Sequence, residues 1–261
     1  MSTQAPPPPV AAAPARHHHI HFVMPHLLDT VRSTLTIIIV ALFILAFLVQ
    51  PFRIPSESME RTLLVGDFLL VDKMTFAPAG IWRWLMPYRT ITHGDIVVFH
   101  FPLDSDEHVV KRVIGVPGDE IALRNGVSVV NDSLRTEPYD VFERADGDEY
   151  RDQFPRYTTD DPGVDPHWRT EMRGLVENAH LRVPTGDYFV LGDNRNHSRD
   201  SRYWGFVPRA NIEGTPLVIY FSLREPSATD LQPLPDGRLG NSVEDRLIDF
   251  ARWDRILHVV H

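Results

Sequence analysis

An apolar stretch from Leu35 to Val49, without a charged side chain, constrains this chain more than any other feature. With its neighbours it approaches the roughly 20 residues that a helix needs to cross a bilayer. It shows no polar stripe of the kind that a core helix keeps on its solvent side. Its end, Val49-Gln50-Pro51-Phe52, lacks the small-x-small pattern of a cleavage site, which disfavours a removable secretion signal. We therefore predict an uncleaved transmembrane anchor over residues 31–51.

Composition excludes several classes of protein. The 261 residues suffice for one sizeable domain, or for a main domain with an insertion, beside the anchor. The chain has no cysteine, so disulfide bonds and a thiol nucleophile are excluded. A formal net charge of -9, without a basic cluster, argues against nucleic acid as a partner. We predict no cofactor.

The residues before the anchor, 1–30, are predicted to form a disordered cytoplasmic tail. Ala5 to Ala15 are nearly all Pro, Ala and Val, and they cannot bury enough apolar surface to offset the entropy of ordering. A histidine tract follows, made of His17, His18, His19 and His21. It is open to two interpretations, a metal-binding segment and a solvated run beside a membrane. We favour the second and predict no metal site.

Most of the chain after the anchor is typical of β structure. Short runs rich in β-branched and aromatic residues, such as 68–71, 95–101 and 217–221, recur between Gly, Pro and Asp turns. No segment suited to a βαβ crossover separates them, so we expect a mainly β fold with an antiparallel sheet or barrel. We predict that this core comprises residues 52–133 and 181–225.

Two further regions flank or interrupt the core. Residues 134–180 mix acidic residues, Arg, Pro and aromatic residues with little periodicity, and we interpret them as a β-rich insertion of variable sequence. Residues 226–261 form a C-terminal tail. Within it, Val243 to Val260 alternates apolar and charged residues near helical spacing, which favours a short docked helix.

Ser58 and Lys111 are the candidate catalytic pair. A serine in a turn becomes a useful nucleophile only beside a base, and none of the thirteen histidines sits in a recognised serine-hydrolase motif. Lys111 follows Val109 and Val110 in an apolar strand, where burial would disfavour its ammonium form. A base that works near pH 7 to 8 needs a pKa about 2 to 3 below that of a free lysine, a bias of roughly 3 to 4 kcal/mol. Taken alone, a strand lysine that points to solvent is the commoner arrangement.

Three segments follow one another along the chain. They are Pro55-Ser56-Glu57-Ser58-Met59-Glu60-Arg61-Thr62-Leu63, Val109-Val110-Lys111-Arg112-Val113-Ile114-Gly115-Val116-Pro117-Gly118-Asp119 and Gly192-Asp193-Asn194-Arg195-Asn196-His197-Ser198-Arg199-Asp200-Ser201-Arg202. In this order they resemble the motifs of the type I signal peptidases, membrane-anchored serine proteases that remove signal peptides from exported proteins. The resemblance covers about residues 49–221.

The resemblance implies a role for each matching side chain. Ser58 would attack the scissile carbonyl, and neutral Lys111 would take its proton. Ser198 would orient the lysine, while the Ser58 backbone N–H and the Ser56 hydroxyl would form the oxyanion hole. Four residues fit the family's structural ion pairs, or else ordinary surface salt bridges: Arg112, Asp193, Asp200 and Arg202.

The resemblance also implies a substrate and a location. Shallow apolar pockets would accept small side chains one and three residues before the cleaved bond, and the same residues could equally be plain sheet core. They are Phe52, Ile54, Leu63, Leu69, Val98, Val109 and Val110. The implied partners are the signal peptides of exported preproteins, membrane lipid and the secretion machinery. The implied location is the bacterial cytoplasmic membrane, spanned once, with the catalytic domain on the extracytoplasmic side.

A Trp-rich segment between Phe76 and Tyr88 is too broken for a strand. Trp82 and Trp84 suit either a loop at the lipid interface or a hydrophobic loop packed on the sheet, and both interpretations stay open. Two rival functions also remain: a self-cleaving Ser-Lys protease, and a non-catalytic membrane-anchored β domain that binds extended peptides.

Overall fold

The computed structural model describes residues 23–76, 88–143, 147–156, 161–224 and 250–260. The chain divides into two units, Met1–Ile44 and Leu45–His261. Helix α1 (Val23–Phe47) accounts for the described part of the first unit. Every side chain described from Leu28 to Ile44 is exposed. In the described part of the chain, no helix combines the length and the hydropathy needed to cross a membrane.

The second unit is built mainly from thirteen described strands. In chain order they are β1 (Val49–Arg53), β2 (Asp67–Asp72), β3 (Ile96–Phe101), β4 (Asp104–Gly115), β5 (Glu120–Arg124), β6 (Val127–Val130), β7 (Ser133–Leu134), β8 (Val176–Glu177), β9 (His180–Arg182), β10 (Asp187–Leu191), β11 (Val207–Pro208), β12 (Ile212–Ser222) and β13 (His258–Val259). The short helices are α2 (Glu149–Asp152), α3 (Pro166–Leu175) and α4 (Ser201–Trp204). Residues 49–51, predicted as the end of the anchor, therefore begin a strand.

The strands form two sheets. The larger runs in the order β1-β2-β12-β3-β4-β10-β11, with β13 paired to β12, and the smaller runs β7-β6-β5-β9-β8. All of these strand pairs are antiparallel. The predicted mainly antiparallel β fold is confirmed.

Two-residue turns with positive φ fix the hairpins of the smaller sheet. Asn125 and Gly126 have φ values of 51° and 79° between β5 and β6, and Asn131 and Asp132 have 52° and 60° between β6 and β7. Positive φ at both central residues is the type I′ geometry that matches the twist of paired strands. The turn sequences therefore set the register of these pairs.

The smaller sheet does not coincide with the predicted insertion. It already begins at Glu120, and the described residues from 134 to 180 contain helices α2 and α3 beside short strand segments. Helix α3 begins after Asp165, whose carboxylate accepts a hydrogen bond from the Trp168 N–H at 2.8 Å. Asp at the N-cap followed by Pro at the first helical position is a helix-start signal that β periodicity does not reveal.

Strand β3 carries the core on both of its faces. Val97 and Phe99 belong to a large apolar cluster shared with the smaller sheet and α3, whereas Ile96 and Val98 belong to a second cluster beneath Met59. Alternate side chains of a strand point to opposite faces, so one strand serves both clusters. The second cluster supports the candidate site.

The described C-terminal residues, 250–260, form a clamp on the larger sheet, and Phe250, the first of them, is helical. Trp253–Arg255 make one 3-10 turn, after which β13 pairs with β12. The Arg255 guanidinium donates to the buried Asp67 carboxylate at 2.6 and 3.1 Å and to the Thr62 carbonyl at 3.0 Å. Val243 and Leu247, part of the helical expectation, lie outside the described residues.

Candidate active site

Ser58 lies in a short 3-10 helix, Glu57–Met59, which is separated from the end of β1 by three residues. Met59 anchors this helix because its side chain is buried in the core, and its carbonyl accepts the Leu63 N–H at 2.8 Å. Ser58 itself is only 7% exposed. Local packing therefore fixes the position of the hydroxyl.

Lys111 on β4 meets this serine. Its Nζ donates a hydrogen bond to Ser58 Oγ at 2.6 Å and a second to the Val110 carbonyl at 3.2 Å. The lysine is only 4% exposed. The strand lysine thus faces the interior rather than solvent.

Burial lowers the pKa of Lys111 from its ordinary 10.5 to about 8. The desolvated ammonium is the largest cause, and the negative charges of Asp200 and Asp193 act in the opposite direction. A lysine with such a pKa is partly neutral near pH 7 to 8 and can accept a proton there. The nearby carboxylates keep the pKa from falling further.

The segment that begins with Gly192 packs directly behind the serine. The Asn194 N–H donates to the Ser58 carbonyl at 3.1 Å. A side chain added at Gly192 would collide with Ser198 Oγ and with the Ser58 carbonyl oxygen. Glycine is required at this position because the two backbones approach so closely.

Two buried ion pairs flank the site. Arg112 donates to both oxygens of Asp193 at 2.8 and 2.7 Å, and Asp193 also accepts from the Thr62 hydroxyl at 2.6 Å. Arg202 donates to both oxygens of Asp200, each at 2.7 Å. All four charged side chains are almost completely buried.

Asp200 remains ionised despite its burial. Desolvation raises the pKa of this carboxyl, but the charge and hydrogen bonds of Arg202 and the Gly192 N–H lower it further, so that it lies below its ordinary value. The second pair is therefore a charged, fully desolvated structure beside the lysine.

Of the two serines predicted to assist Ser58 and Lys111, only Ser56 makes a hydrogen bond with either residue. Ser56 Oγ lies 3.3 Å from Ser58 Oγ, close enough for either hydroxyl to donate. Ser198 is buried beside Gly192, and its Oγ makes no hydrogen bond of good geometry to any described residue, Lys111 included. Ser198 nevertheless lies close enough to Asp200 to help to lower the pKa of that carboxyl.

A cleft of about 390 Å³ opens beside the serine and the lysine. Four of the seven predicted pocket residues line it: Phe52, Ile54, Val109 and Val110. The other three, Leu63, Leu69 and Val98, are fully buried in the core beneath. The cleft also takes in Met59, Phe101, His108 and Trp204, which the sequence reasoning did not select.

Arg195 is a buried charge near the site that the sequence reasoning also left without a role. Its guanidinium donates to the Gly192 carbonyl at 3.0 Å and to Ser128 Oγ at 3.1 Å, and it pairs with Glu137 at 2.9 Å. These contacts tie the segment behind the serine to the smaller sheet. The predicted loop residues Trp82 and Trp84, like the histidine tract, lie outside the described residues.

A buried lysine amine that is hydrogen-bonded to a serine hydroxyl is an arrangement that can activate the serine as the nucleophile of a serine hydrolase. Residues 27–221 match the family model described as "Signal peptidase, peptidase S26", and the chain belongs to that family.

Individual relatives agree with this assignment. Signal peptidase I of Aquifex aeolicus (strain VF5) is 34% identical over 233 residues, which cover 76% of this chain and 86% of the relative. Signal peptidase I of Pseudomonas fluorescens is 33% identical over 231 residues, covering 79% and 77%. A solved signal peptidase I from Enterococcus faecalis V583 aligns with 49% of this chain and 97% of its own, at 32% identity and a TM-score of 0.36.

Proposed function

We propose that this serine peptidase removes signal peptides from exported preproteins, with Ser58 as nucleophile and neutral Lys111 as general base. Family membership supports the activity. The single observation that carries the assignment of roles is the 2.6 Å hydrogen bond between the buried Lys111 amine and Ser58 Oγ.

Acylation begins with proton transfer from Ser58 Oγ to the neutral amine of Lys111. The hydroxyl oxygen attacks the scissile carbonyl carbon, and the carbonyl oxygen takes the negative charge. Lys111, now an ammonium, returns the proton to the leaving amine as the peptide bond breaks. An ester between Ser58 and the signal peptide remains, and the mature protein leaves.

Deacylation follows the same order of steps, with water in place of Ser58 as the nucleophile. Lys111 accepts a proton from a water molecule, whose oxygen attacks the ester, and the proton then passes to Ser58 Oγ. The Ser56 hydroxyl, 3.3 Å from the nucleophile, is placed to stabilise the oxyanion in both steps. One such donor can contribute roughly 3 to 4 kcal/mol to the transition state.

The cleft suits an extended peptide with small side chains. Phe52, Ile54 and Val110 line it together with Ser58 and Lys111, and this apolar lining would favour small apolar side chains before the cleaved bond. Within the described residues, His108 to Val110 of β4 pair with a neighbouring strand on one side only, the β3 side. A substrate strand could therefore add main-chain hydrogen bonds along β4.

We further propose that α1 anchors the enzyme in the bacterial cytoplasmic membrane, with the second unit on the extracytoplasmic side. Its side chains from Leu35 to Ile44 are apolar except for Thr36, and all are exposed. Ser58 lies eleven positions after Phe47, the last residue of α1, so even a fully extended chain keeps the serine within about 40 Å of the end of this helix. In this location, membrane lipid and the secretion machinery would be partners of the enzyme.

Trp82 and Trp84 are proposed to contact the lipid interface. Replacing both by Ala in the unit from Leu45 onward should weaken its binding to liposomes, whereas Trp253→Ala, at an exposed Trp of the C-terminal clamp, should not. Equal binding by all three proteins would contradict the proposal.

The assay for the whole proposal is cleavage of a preprotein in detergent, followed by sequencing of the new N-terminus. Wild type should cut after a small-x-small site, and Ser58→Ala and Lys111→Met should be inactive. The chain contains only one other lysine, Lys73, so Lys73→Met is the matched control and should stay active. An inert wild type would favour a peptide-binding domain, and cleavage of its own chain alone would favour a self-cleaving protease.

A further inference from the structure

Three neighbouring strands bring two histidines and a glutamate together outside the catalytic pair. His100 on β3 stands directly opposite His108 on β4, with ring centroids 4.4 Å apart. Glu213 lies on β12, the other neighbour of β3, where the register shifts between Ile212 and Gly214. Such bulges redirect a side chain, and here Glu213 meets both histidines.

The possible ligand atoms of these residues converge on one point. His100 Nε2 lies 3.0 Å from Glu213 Oε1, and His108 Nε2 lies 3.3 Å from Glu213 Oε2. One nitrogen or oxygen from each residue lies within 4.8 Å of the other two. Ligands bound to one Zn²⁺ at about 2.0 to 2.2 Å in a tetrahedron stand roughly 3.3 Å apart. The two contacts to Glu213 are already near this spacing, and the three atoms together would have to draw closer than the present limit of 4.8 Å.

The tautomer of His100 is set by its other nitrogen. His100 Nδ1 lies 2.7 Å from the Ser105 carbonyl oxygen, which can only accept, so Nδ1 carries the hydrogen. In the neutral ring Nε2 then presents a lone pair toward the Glu213 carboxylate. A proton on Nε2 or a metal ion can bridge these two electron-rich atoms. A carbonyl bonded to the far nitrogen is also how proteins orient a metal-binding histidine.

Glu213 supplies the negative charge of the group. Its side chain is only 17% exposed. Its buried Oε2 accepts no hydrogen bond from the described residues, although His108 Nε2 is near. One divalent ion would be a shared partner for this oxygen and for both imidazoles at once.

We propose that His100 Nε2, His108 Nε2 and the Glu213 carboxylate bind one divalent transition-metal ion of the Zn²⁺ class. Two imidazoles and one carboxylate are borderline ligands that suit Zn²⁺ better than Mg²⁺ or Ca²⁺. Three protein ligands leave a fourth position of the tetrahedron open. His108 also lines the cleft and packs against Phe52 at 5.1 Å between ring centroids, so the ion would stiffen one cleft wall. Neither catalytic side chain is a ligand, so the site stands independently of the proposed peptidase mechanism.

The test is a Zn²⁺ titration against a chromophoric chelator, using the full chain in detergent. His17, His18, His19 and His21 are changed to Ala in every protein, so that the histidine tract does not bind the probe. This background protein should bind one Zn²⁺ per chain. His100→Ala and His108→Ala should each weaken binding about 100-fold or more, and Glu213→Gln at least 10-fold.

The matched control is His167→Ala, since His167 is 88% exposed beside Glu171 and lies outside the cluster. It should bind Zn²⁺ like the background. Thermal unfolding without metal checks that the variants fold, and Zn²⁺ should raise the melting temperature of the background and control but not of His108→Ala. No stoichiometric binding by the background, or equal affinity in the cluster variants and the control, would overturn the proposal and leave an ordinary histidine–carboxylate contact.

Discussion

Lys111 Nζ donates to Ser58 Oγ at 2.6 Å, although the two residues are 53 positions apart in the sequence. One comes from the middle of a sheet and the other from a single 3-10 turn at the end of an edge strand. The contact exists because the second apolar cluster holds Met59, next to the serine, against the sheet. Packing and the proposed proton transfer therefore depend on the same few residues.

The pH dependence of cleavage should reflect the lysine. Burial lowers the pKa of Lys111 to about 8, and only the neutral amine can accept the serine proton. We expect kcat/KM to rise with pH and to reach half of its plateau near pH 8. A rate profile measured from pH 6 to 10 with a peptide substrate checks this. A half-maximum near pH 6.5, typical of histidine, would point to another base.

Lys111→Met should stabilise the protein at neutral pH. Below pH 8 the folded state holds a buried ammonium, and the fall in pKa from 10.5 to about 8 corresponds to a cost of about 3 kcal/mol. Between these values the unfolded chain binds more protons, so wild-type stability rises with pH. The variant's higher melting temperature at pH 7 should therefore shrink toward pH 10. A gap that widens with pH would contradict this sign.

Asp200→Asn should shift the activity profile toward lower pH. The Asp200 carboxylate raises the pKa of Lys111, while Arg202, left unpaired in the variant, lowers it. The variant should also lose about 3 to 5 kcal/mol of stability, because one partner of a buried ion pair remains uncompensated. Rate profiles at a temperature where both proteins are folded separate the two effects. An unchanged or upward shift of the half-maximum would refute the electrostatic argument.

Gly192→Ala should abolish cleavage. The added methyl would collide with Ser198 Oγ and the Ser58 carbonyl, so the serine would have to move away from Lys111. Gly174→Ala is the matched control, since nothing lies within 4 Å of a Cβ at that helical position. Cleavage and melting temperature of the two variants are compared. Full activity in Gly192→Ala would mean that this close packing does not position the nucleophile.

Much of this architecture could be predicted from local patterns. Alternating apolar runs and Gly-Asp turns indicate antiparallel strands. The three ordered motifs indicate the family, and the match of residues 27–221 to the family model confirms it. The pairing of strands with distant partners was not predictable, because it depends on contacts such as Thr215 with Asp72 that no local spacing encodes.

The candidate site, too, was predictable only where local motifs determine it. Ser58 and Lys111 were predicted by motif, but the choice of Asp193 as the partner of Arg112 depends on the tertiary fold. Leu63, Leu69 and Val98 follow the same apolar pattern as the residues of the cleft wall, so sequence alone cannot distinguish pocket from core. His100, His108 and Glu213 are separated along the chain and converge only through strand register.

The central claim is that Lys111 is a buried amine whose pKa is low enough to supply a neutral base near pH 8, and NMR titration of its side chain tests it most directly. In Lys73→Arg protein, Lys111 is the only lysine left, so isotope-labelled lysine gives a single side-chain signal. The signal should titrate near pH 8. A midpoint near the ordinary 10.5 would mean that almost no neutral amine is present near pH 8, and the proposed base would be contradicted.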